Sequence, residues 1–386
     1  MKLFKGMMLG AAAVATATTA QAADLPVAPE PVDYVRICDA YGARFYYIPG
    51  TETCLRVGGR VRTQIQTTNV QGTNETDWAN RDSDGYNWLA RGSVRLDART
   101  ATEMGTLRAY VAIDANSTES GGSVSLDNAY IQWGGLTSGR LGSNFDIYTG
   151  QAFIGSANRD WSDKTLNQLA YTAAFGNGMS ATIALEDTNQ RRVGNYGGNR
   201  VPDLVAALAV SQGWGAAQLS GALHDTIVNR ANYATGGRNS MGWALGAGVK
   251  FNLDMLASGS NIFFQGFYAD GALSYIGAGT TERGGATLFD MSTTSSKTSK
   301  GYSLSAGIYH QASSTIGLAL DGSWMDVDLA DTANDVTKWA IDGSVVWQPV
   351  SGLSIGADVG YSDTDVKNIS ADGDDLRFGV RMERTF

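Results

Sequence analysis

The amino-acid sequence predicts an all-β fold, a 16-stranded antiparallel up-and-down transmembrane β-barrel with short periplasmic turns and long extracellular loops. We expect the third loop to fold into the lumen. Three observations predict this class: segments with alternating apolar and polar residues, connections that alternate between tight and long, and no linker or break in composition along 386 residues. Since successive side chains of a strand point to opposite faces, each segment has one apolar and one polar face.

The composition fits a barrel that crosses a membrane. The chain contains 48 Gly, 16 Tyr, 12 Phe and 9 Trp but only 6 Pro, as is typical of barrels. Mean hydropathy is −0.16, and no segment of the mature chain reaches the length of an apolar spanning helix, which is about 20 residues. A membrane protein of this kind must cross by alternation and keep its polar side chains in a lumen.

The start of the chain predicts export. Lys2 and Lys5 are followed by an apolar run from Met7 to Ala20 and by Ala20-Gln21-Ala22, a small-x-small cleavage site. This is the layout of a secretory signal peptide at 1–22, so we expect the mature chain to begin at Ala23. Without the two lysines the formal net charge of −9 becomes −11. Such an acidic exported protein is a poor candidate for nucleic-acid binding.

We expect a periplasmic N-terminal segment at 23–53 and the barrel at 54–386. The chain has two cysteines, Cys38 and Cys54, near this boundary. An even number in an exported chain favours a disulfide, which would contribute roughly 3 kcal/mol by closing a short loop. Two free buried thiols are the alternative. Two cysteines and two histidines offer no metal-ligand cluster, so we expect no metal and no cofactor.

Period-two alternation predicts the strands in order. The first, 56–66, has mostly apolar residues at odd positions and mostly Arg or Gln at even ones, and the last, 376–386, has the opposite parity. That last segment alone could also be an edge strand of a soluble sandwich. The other predicted strands lie near 90–99, 107–114, 128–133, 139–143, 168–175, 179–186, 202–211, 214–224, 242–252, 262–270, 301–311, 315–324, 337–347 and 353–362.

The predicted connections alternate between tight and long throughout the chain. The tight ones are 102–105, 134–135, 176–178, 212–213, 253–260, 312–313 and 348–352. The long ones are 67–87, 115–124, 144–167, 187–201, 225–241, 271–300, 325–336 and 363–374. Short turns on one rim and long loops on the other are typical of membrane barrels, and an even strand number places both termini on the periplasmic side. A sandwich or a propeller has no reason to keep this asymmetry.

The third long connection, 144–167, is the candidate constriction loop. It combines aromatic and aliphatic residues, which could lie on the wall, with the acids Asp146, Asp160 and Asp163, which could face water. A barrel of about 16 strands is wide enough for an aqueous channel unless something fills it. An ordinary solvated surface loop is the alternative.

Arginines share the inward parity of the first three strands and of the last. Because the last strand lies beside the first in a closed barrel, they would form one basic sector of the pore wall opposite the acidic loop. An unpaired charge on the lipid face costs several kcal/mol, which favours the inward direction. Local pairing in a wide lumen is the alternative to a constriction. These residues are Arg56, Arg60, Arg62, Arg91, Arg95, Arg99, Arg108, Arg377 and Arg381.

Two segments near the start of the mature chain resemble a known family. Ile37–Gly42 and Phe45–Gly59 are similar to the N-terminal signature of the alphaproteobacterial general porins, and Ala23–Pro26 and Arg381–Phe386 resemble that family too. The resemblance implies a homotrimeric, 16-stranded porin of the bacterial outer membrane. It would be surrounded by lipid and lipopolysaccharide and would pass small hydrophilic solutes and ions by passive diffusion, with the third loop narrowing the pore.

Three other functions remain open on sequence alone. A hydrolase would need a base, and only His224 and His310 are available; we interpret His224-Asp225 as a solvated pair and His310 as a rim residue. A receptor or adhesin could use 271–300, which we interpret as a solvated loop. A substrate- or ion-selective channel could favour anions through its arginines or cations through its acids, and we expect a weak cation preference.

Overall fold

A computed structural model of the chain describes residues 36–72, 74–157, 159–228, 239–371 and 373–386. The predicted signal peptide at 1–22, and residues 23–35 of the predicted N-terminal segment, lie outside the described residues. Among the helices that the structure does describe, none is long and apolar enough to cross a bilayer. Those helices are short 3-10 turns at Asp39–Tyr41, Thr188–Arg191, Leu273–Ile276 and Arg283–Gly285.

Sixteen long strands form one closed antiparallel barrel, which confirms the predicted fold class. Each strand pairs with the next along the chain, and the last pairs with the first. We number these barrel strands in chain order. They are β1 Cys54–Thr67, β2 Tyr86–Thr102, β3 Gly105–Thr118, β4 Gly121–Trp133, β5 Leu136–Gly142, β6 Thr165–Gly176, β7 Met179–Glu186, β8 Asp203–Gln212, β9 Gly215–Ile227, β10 Asn239–Asn252, β11 Asn261–Asp270, β12 Lys300–Gln311, β13 Ile316–Asp328, β14 Val336–Val350, β15 Leu353–Val366 and β16 Asp375–Thr385.

The barrel closes where β16 meets β1. The register pairs Gly379 with Gln66 and Thr385 with Arg60. Beyond the last paired residues, Phe386 and Gly59 exchange two backbone hydrogen bonds of 3.1 Å. Closure satisfies the backbone groups that an open sheet would leave exposed at its edges.

The predicted alternation holds at the seam. Val61, Val94 and Val380 are half exposed on the outer face, whereas their inward neighbours Arg62 and Arg381 are far less exposed. Exposed aromatic residues form two belts on the outer face. Near the tight turns they are Trp133, Phe175, Trp214, Phe251, Trp347 and Phe386. Near the opposite rim they are Tyr86, Trp88, Trp243, Tyr268, Tyr302, Trp324 and Trp339. An apolar band between aromatic belts is the lipid-facing surface of a membrane barrel.

The connections follow the predicted asymmetry with one exception. Those on the rim of tight turns are 103–104, 134–135, 177–178, 213–214, 253–260, 312–315 and 351–352. Those on the opposite rim are 68–85, 119–120, 143–164, 187–202, 228–238, 271–299, 329–335 and 367–374. The prediction of a long connection at 115–124 is wrong. β3 and β4 continue through this polar stretch, and only two residues join them.

The lumen contains a hydrophobic cluster near the rim of long connections. Phe145 and Trp161 of the third connection on this rim pack against Leu273, Tyr275 and Ile276 of the 3-10 turn in 271–299. The rings of Phe145 and Tyr275 meet edge to face with centroids 4.6 Å apart. Our interpretation of 271–300 as a solvated loop is therefore wrong, since much of it is buried in this cluster.

A disulfide links Cys38 to Cys54, as predicted. It joins the segment before the barrel to the first residue of β1, and a short strand, Tyr46–Tyr47, pairs with the same end of β1. Arg56 and Arg99 lie over the ring of Phe45 at 5.1 and 5.0 Å. These contacts place the segment against the rim of tight turns.

Candidate pore-lining site

The third connection on the rim of long loops, 143–164, folds into the lumen as predicted and is called loop 3 below. It is slightly shorter than the predicted 144–167, because Thr165–Gly176 is already a barrel strand. The loop follows the inner wall from β9 to β1. The hydroxyl of Tyr148 donates a hydrogen bond of 2.9 Å to the carbonyl of Ala216 on β9. The side chain of Gln66 on β1 donates one of 3.3 Å to the carbonyl of Ser156.

Three inward carboxylates of the wall hold the loop backbone. Asp321 accepts hydrogen bonds of 2.7 Å from the amides of residues 151–152. Asp358 accepts two more, at 2.7 and 3.0 Å, from residues 154–155. Asp342 accepts another of 2.7 Å two residues further along the loop. Hydrogen bonds from amides to carboxylates are stronger than those between neutral groups, so these acids fix the course of the loop.

Two of these acids belong to a repeated Asp-Gly-Ser sequence that we did not recognise from the sequence. It occurs at 321–323 and 342–344. Ser323 accepts from the amide of Asp160 at 3.0 Å, and Ser344 accepts from the amide of Phe153 at 3.1 Å. The repeat gives adjacent strands β13 and β14 two acceptors each on the inward parity, a signal that sequence analysis could have used.

Inward glycines of β15 make room for the loop. A Cβ atom at Gly356 would lie 2.6 Å from the ring of Phe153, and one at Gly360 would lie 2.2 Å from the amide nitrogen of Ala157. Both approaches are too close for any side chain. Loop 3 therefore packs directly on the backbone of this wall.

Asp160 does not face the water path, as we had expected. It is fully buried and accepts a hydrogen bond of 3.0 Å from the ammonium of Lys338, which also contacts Glu282 at 3.0 Å. Burial raises the pKa of Asp160 to about 6. A charge taken out of water requires a partner, and Lys338 supplies one for two acids.

Asp146 is also used to attach the loop rather than to face water. It is paired with the buried Arg191 at 2.9 Å and accepts from the hydroxyl of Ser162 at 2.5 Å and from the amide of Lys164 at 2.7 Å. Of the three predicted acids only Asp163 is exposed in the lumen. It lies beside Arg159 and Lys164 in the lining of a polar cavity of about 270 Å³.

The predicted arginines lie on neighbouring strands β16, β1, β2 and β3 together with four acids, three of which contact more than one arginine. Asp97 pairs with Arg108 at 2.9 Å, with Arg99 at 2.8 Å and with Arg56 at 3.6 Å. The other two of these three acids, Asp114 and Glu383, contact arginines as well. Asp114 pairs with Arg91 at 3.3 Å and with Arg60 at 3.9 Å, and Glu383 pairs with Arg62 at 2.7 Å and with Arg60 at 3.7 Å.

The remaining three arginines of this wall differ in their contacts. Arg377 pairs with Asp375 on its own strand at 2.7 Å. Arg381 donates to Gln64 and to the carbonyl of Phe153, so it joins the wall to loop 3. Arg95 makes no ion pair and no hydrogen bond among the described residues.

Comparison with known proteins places this geometry in a family. The model of the porin subfamily matches residues 24–380. The chain belongs to the porin subfamily. It is similar to Porin Omp2b of Brucella suis biovar 1, with 38% identity over 241 residues, and to Porin Omp2b of Brucella abortus, with 38% identity over 237 residues. Each match covers 55% of this porin and 63% of the relative, which is less than two thirds of the relative's length.

Solved structures share the fold of this porin at low sequence identity. The outer membrane channel DcaP of Acinetobacter baumannii superposes with a TM-score of 0.71 and 18% identity, covering 88% of this chain and 99% of the other. OmpF of Salmonella typhi, in complex with daunomycin, gives a TM-score of 0.59 and 12% identity, covering 87% and 98%. Both agree with the 16-stranded barrel described above.

The histidines of this porin lie away from the lumen surface or at its rim. His224 is not a solvated partner of Asp225; it is buried, with Nδ1 2.8 Å from Asp203 and Nε2 2.8 Å from the hydroxyl of Tyr196. That hydroxyl donates to Asp290 at 2.6 Å, and burial raises the pKa of Asp290. The network ties 187–202 and 271–299 to the wall. His310 is the penultimate residue of β12, and its Nδ1 lies 3.3 Å from the hydroxyl of Ser260 near a tight turn.

Proposed function

We propose that this protein is an outer-membrane porin, a water-filled channel for passive diffusion of small hydrophilic solutes and ions. One observation carries the proposal. Loop 3 is fixed along one part of the inner wall of a closed barrel, and the arginine wall across the lumen is left partly exposed. The side chains of Arg60 and Arg91, away from the strand ends, retain 17% and 27% of their accessible surface, which leaves room for water inside the barrel.

In this proposal the narrowest part of the channel lies between loop 3 and the arginine wall. The wall consists of Arg60, Arg62, Arg91, Arg95, Arg99, Arg108, Arg377 and Arg381. Loop 3 sets the width, with Asp146 and Asp160 as attachment residues and Asp163 as the acid that solutes meet. Charged groups of opposite sign that face each other across a narrow water path favour polar solutes, because an apolar solute must displace ordered water.

The surroundings follow from the same proposal. The tight turns and both termini face the periplasm, with the disulfide-linked segment as part of 23–53 there, and the long connections face outward. The outer belt of aromatics contacts lipid and lipopolysaccharide. A homotrimer is proposed from the family alone.

The alternatives are less well supported by the described residues. A receptor that uses 271–299 would need an accessible loop, yet much of this loop is buried in the lumen cluster. A hydrolase would need an accessible base near a nucleophile. His224 is buried, and its ring nitrogens are occupied by Asp203 and Tyr196.

Liposome swelling tests the proposal. Vesicles that contain the purified protein are placed in isotonic solutions of neutral sugars of increasing size. We expect rapid swelling with small sugars and a sharp decrease above a size limit. No uptake of any sugar by correctly folded protein would contradict a diffusion channel.

A further inference from the structure

The charge that a solute meets in the lumen differs from the charge of the whole chain. This inference rests on the proposed channel function and concerns which solutes the channel favours. Two of the three acids of loop 3 are paired with buried cations, Asp146 with Arg191 and Asp160 with Lys338. The exposed Asp163 is accompanied by Lys164, whereas Arg159 pairs with the buried wall acid Asp321 at 2.5 Å. Loop 3 therefore contributes little net negative charge to the water path.

The opposite wall has an excess of positive charge. On β16, β1, β2 and β3 the inward parity carries nine arginines and four carboxylates, which leaves an excess of five positive charges. The four acids are Asp97, Asp114, Asp375 and Glu383. Each of these acids already has at least one arginine partner within 4 Å.

Arg95 is the arginine of this wall that has no partner among the described residues. Its cross-strand neighbours are Gly58 on β1 and Ala112 on β3, whose side chains can neither pair with the guanidinium nor cover it. Arg95 is close enough to Arg60 for their two positive charges to repel each other. The side chain is half-buried on the inward face of β2. Its five N–H donors are therefore available to a ligand in the lumen.

We propose that Arg95, with Arg60 beside it, forms a binding site for small anions on the permeation path, so that the channel passes anions more readily than cations. A guanidinium binds the oxygens of a carboxylate, sulfate or phosphate through two parallel hydrogen bonds. This reverses the weak cation preference expected from the sequence. That expectation counted every acid of the chain, whereas buried and externally placed acids act weakly on an ion in the lumen because of pairing and screening.

Reversal potentials in planar bilayers under a potassium chloride gradient test the selectivity. We expect chloride to be more permeant than potassium in the native protein. Arg95→Gln, which keeps a polar side chain but removes the charge, should lower the chloride-to-potassium permeability ratio by about twofold, as for one unit charge several ångströms from the ion. Arg95→Lys should retain most of the preference. Arg384→Gln is the matched control, because Arg384 lies on the outward parity and donates to the carbonyl of Ser351 at the rim.

Sulfate provides a readout that does not need conduction. Calorimetric titration of the folded protein with sodium sulfate should show binding in the native chain and in the Arg384→Gln variant, and weaker binding in Arg95→Gln. A cation-selective native channel, or equal sulfate binding in the native chain and in Arg95→Gln, would overturn the inference. Folded protein that binds sulfate but conducts no ions would contradict the proposed channel and leave the anion site in place.

Discussion

At the scale of single residues, Lys338 is a buried cation that attaches loop 3 to the wall. It lies buried between Asp160 and Glu282 at 3.0 Å from each. We expect Lys338→Met to lower the free energy of unfolding by about 3–5 kcal/mol, since it leaves two buried acids without a counter-ion. Urea unfolding in detergent measures the change. The loss should be smaller below about pH 6 than at pH 8, because a protonated Asp160 needs no cation.

Lys367→Met is the matched control for this substitution. Lys367 pairs with Asp335 at 3.2 Å, but their side chains are 64% and 36% exposed. Such pairs contribute less than about 1 kcal/mol. Equal effects of the two substitutions would show that the buried ion pair has no special role.

Gly59 is the second residue that permits a direct test, because the barrel closes beside it. An added Cβ would lie 2.3 Å from the carbonyl oxygen of Ser93 and 2.9 Å from the ring of Phe386. We therefore expect Gly59→Ala to destabilise the barrel by about 1–3 kcal/mol, as overpacking does elsewhere. Gly92→Ala is the control, because nothing lies within 4 Å of its added Cβ. If the two substitutions lowered the thermal unfolding midpoint equally, the packing where the barrel closes would not be tight.

The residues of the arginine wall could be predicted from the sequence, and the partners of the loop acids could not. Arg62 and Arg95 belong to strands, where period two fixes the direction of each side chain. Asp146 and Asp160 belong to an irregular loop, which has no period. Their positions depend on pairing with Arg191 and Lys338, which are 45 and 178 residues away along the chain.

At the scale of elements, loop 3 is the part of the molecule that sets the width of the proposed channel. Deleting residues 151–155 removes the amides bound by Asp321 and by Asp358. The shortened loop can no longer follow the wall to β16. We expect a higher single-channel conductance and a larger size limit for sugars.

A deletion of equal length in another connection is the control for this experiment. Residues 79–83 lie in the long connection between β1 and β2 and are mostly exposed. Their removal should leave the conductance unchanged. Unchanged conductance after deletion of 151–155 would show that loop 3 does not narrow the path.

Strand number and the two kinds of rim could be predicted from the sequence, but the length of one connection could not. Asn116, Ser117 and Thr118 are polar and resemble a loop in composition. They belong to β3, whose outer end pairs with β4 through Thr118 and Gly121. The ends of strands above an apolar band need not alternate in hydropathy, so composition predicts a loop where the backbone remains paired.

At the scale of the whole molecule, the barrel is an enclosure with an asymmetric interior. One part of the wall is covered by loop 3 and by 271–299, which share a hydrophobic cluster with the strands. The other part carries the arginines. The closed barrel was predictable from alternation and turn spacing. The internal cluster was not, because it assembles from connections whose polar composition resembles that of solvated loops.

The most direct test of this interior is the accessibility of neighbouring positions on β2. Single cysteines are introduced by Arg95→Cys and by Val94→Cys, with the native Cys38 and Cys54 bridged and unreactive. A charged, water-soluble thiol reagent is then added while single-channel current is recorded in a bilayer. We expect a stepwise change of current for the cysteine at 95 and none for the cysteine at 94. Reaction at 94 without reaction at 95 would contradict an arginine wall that faces water.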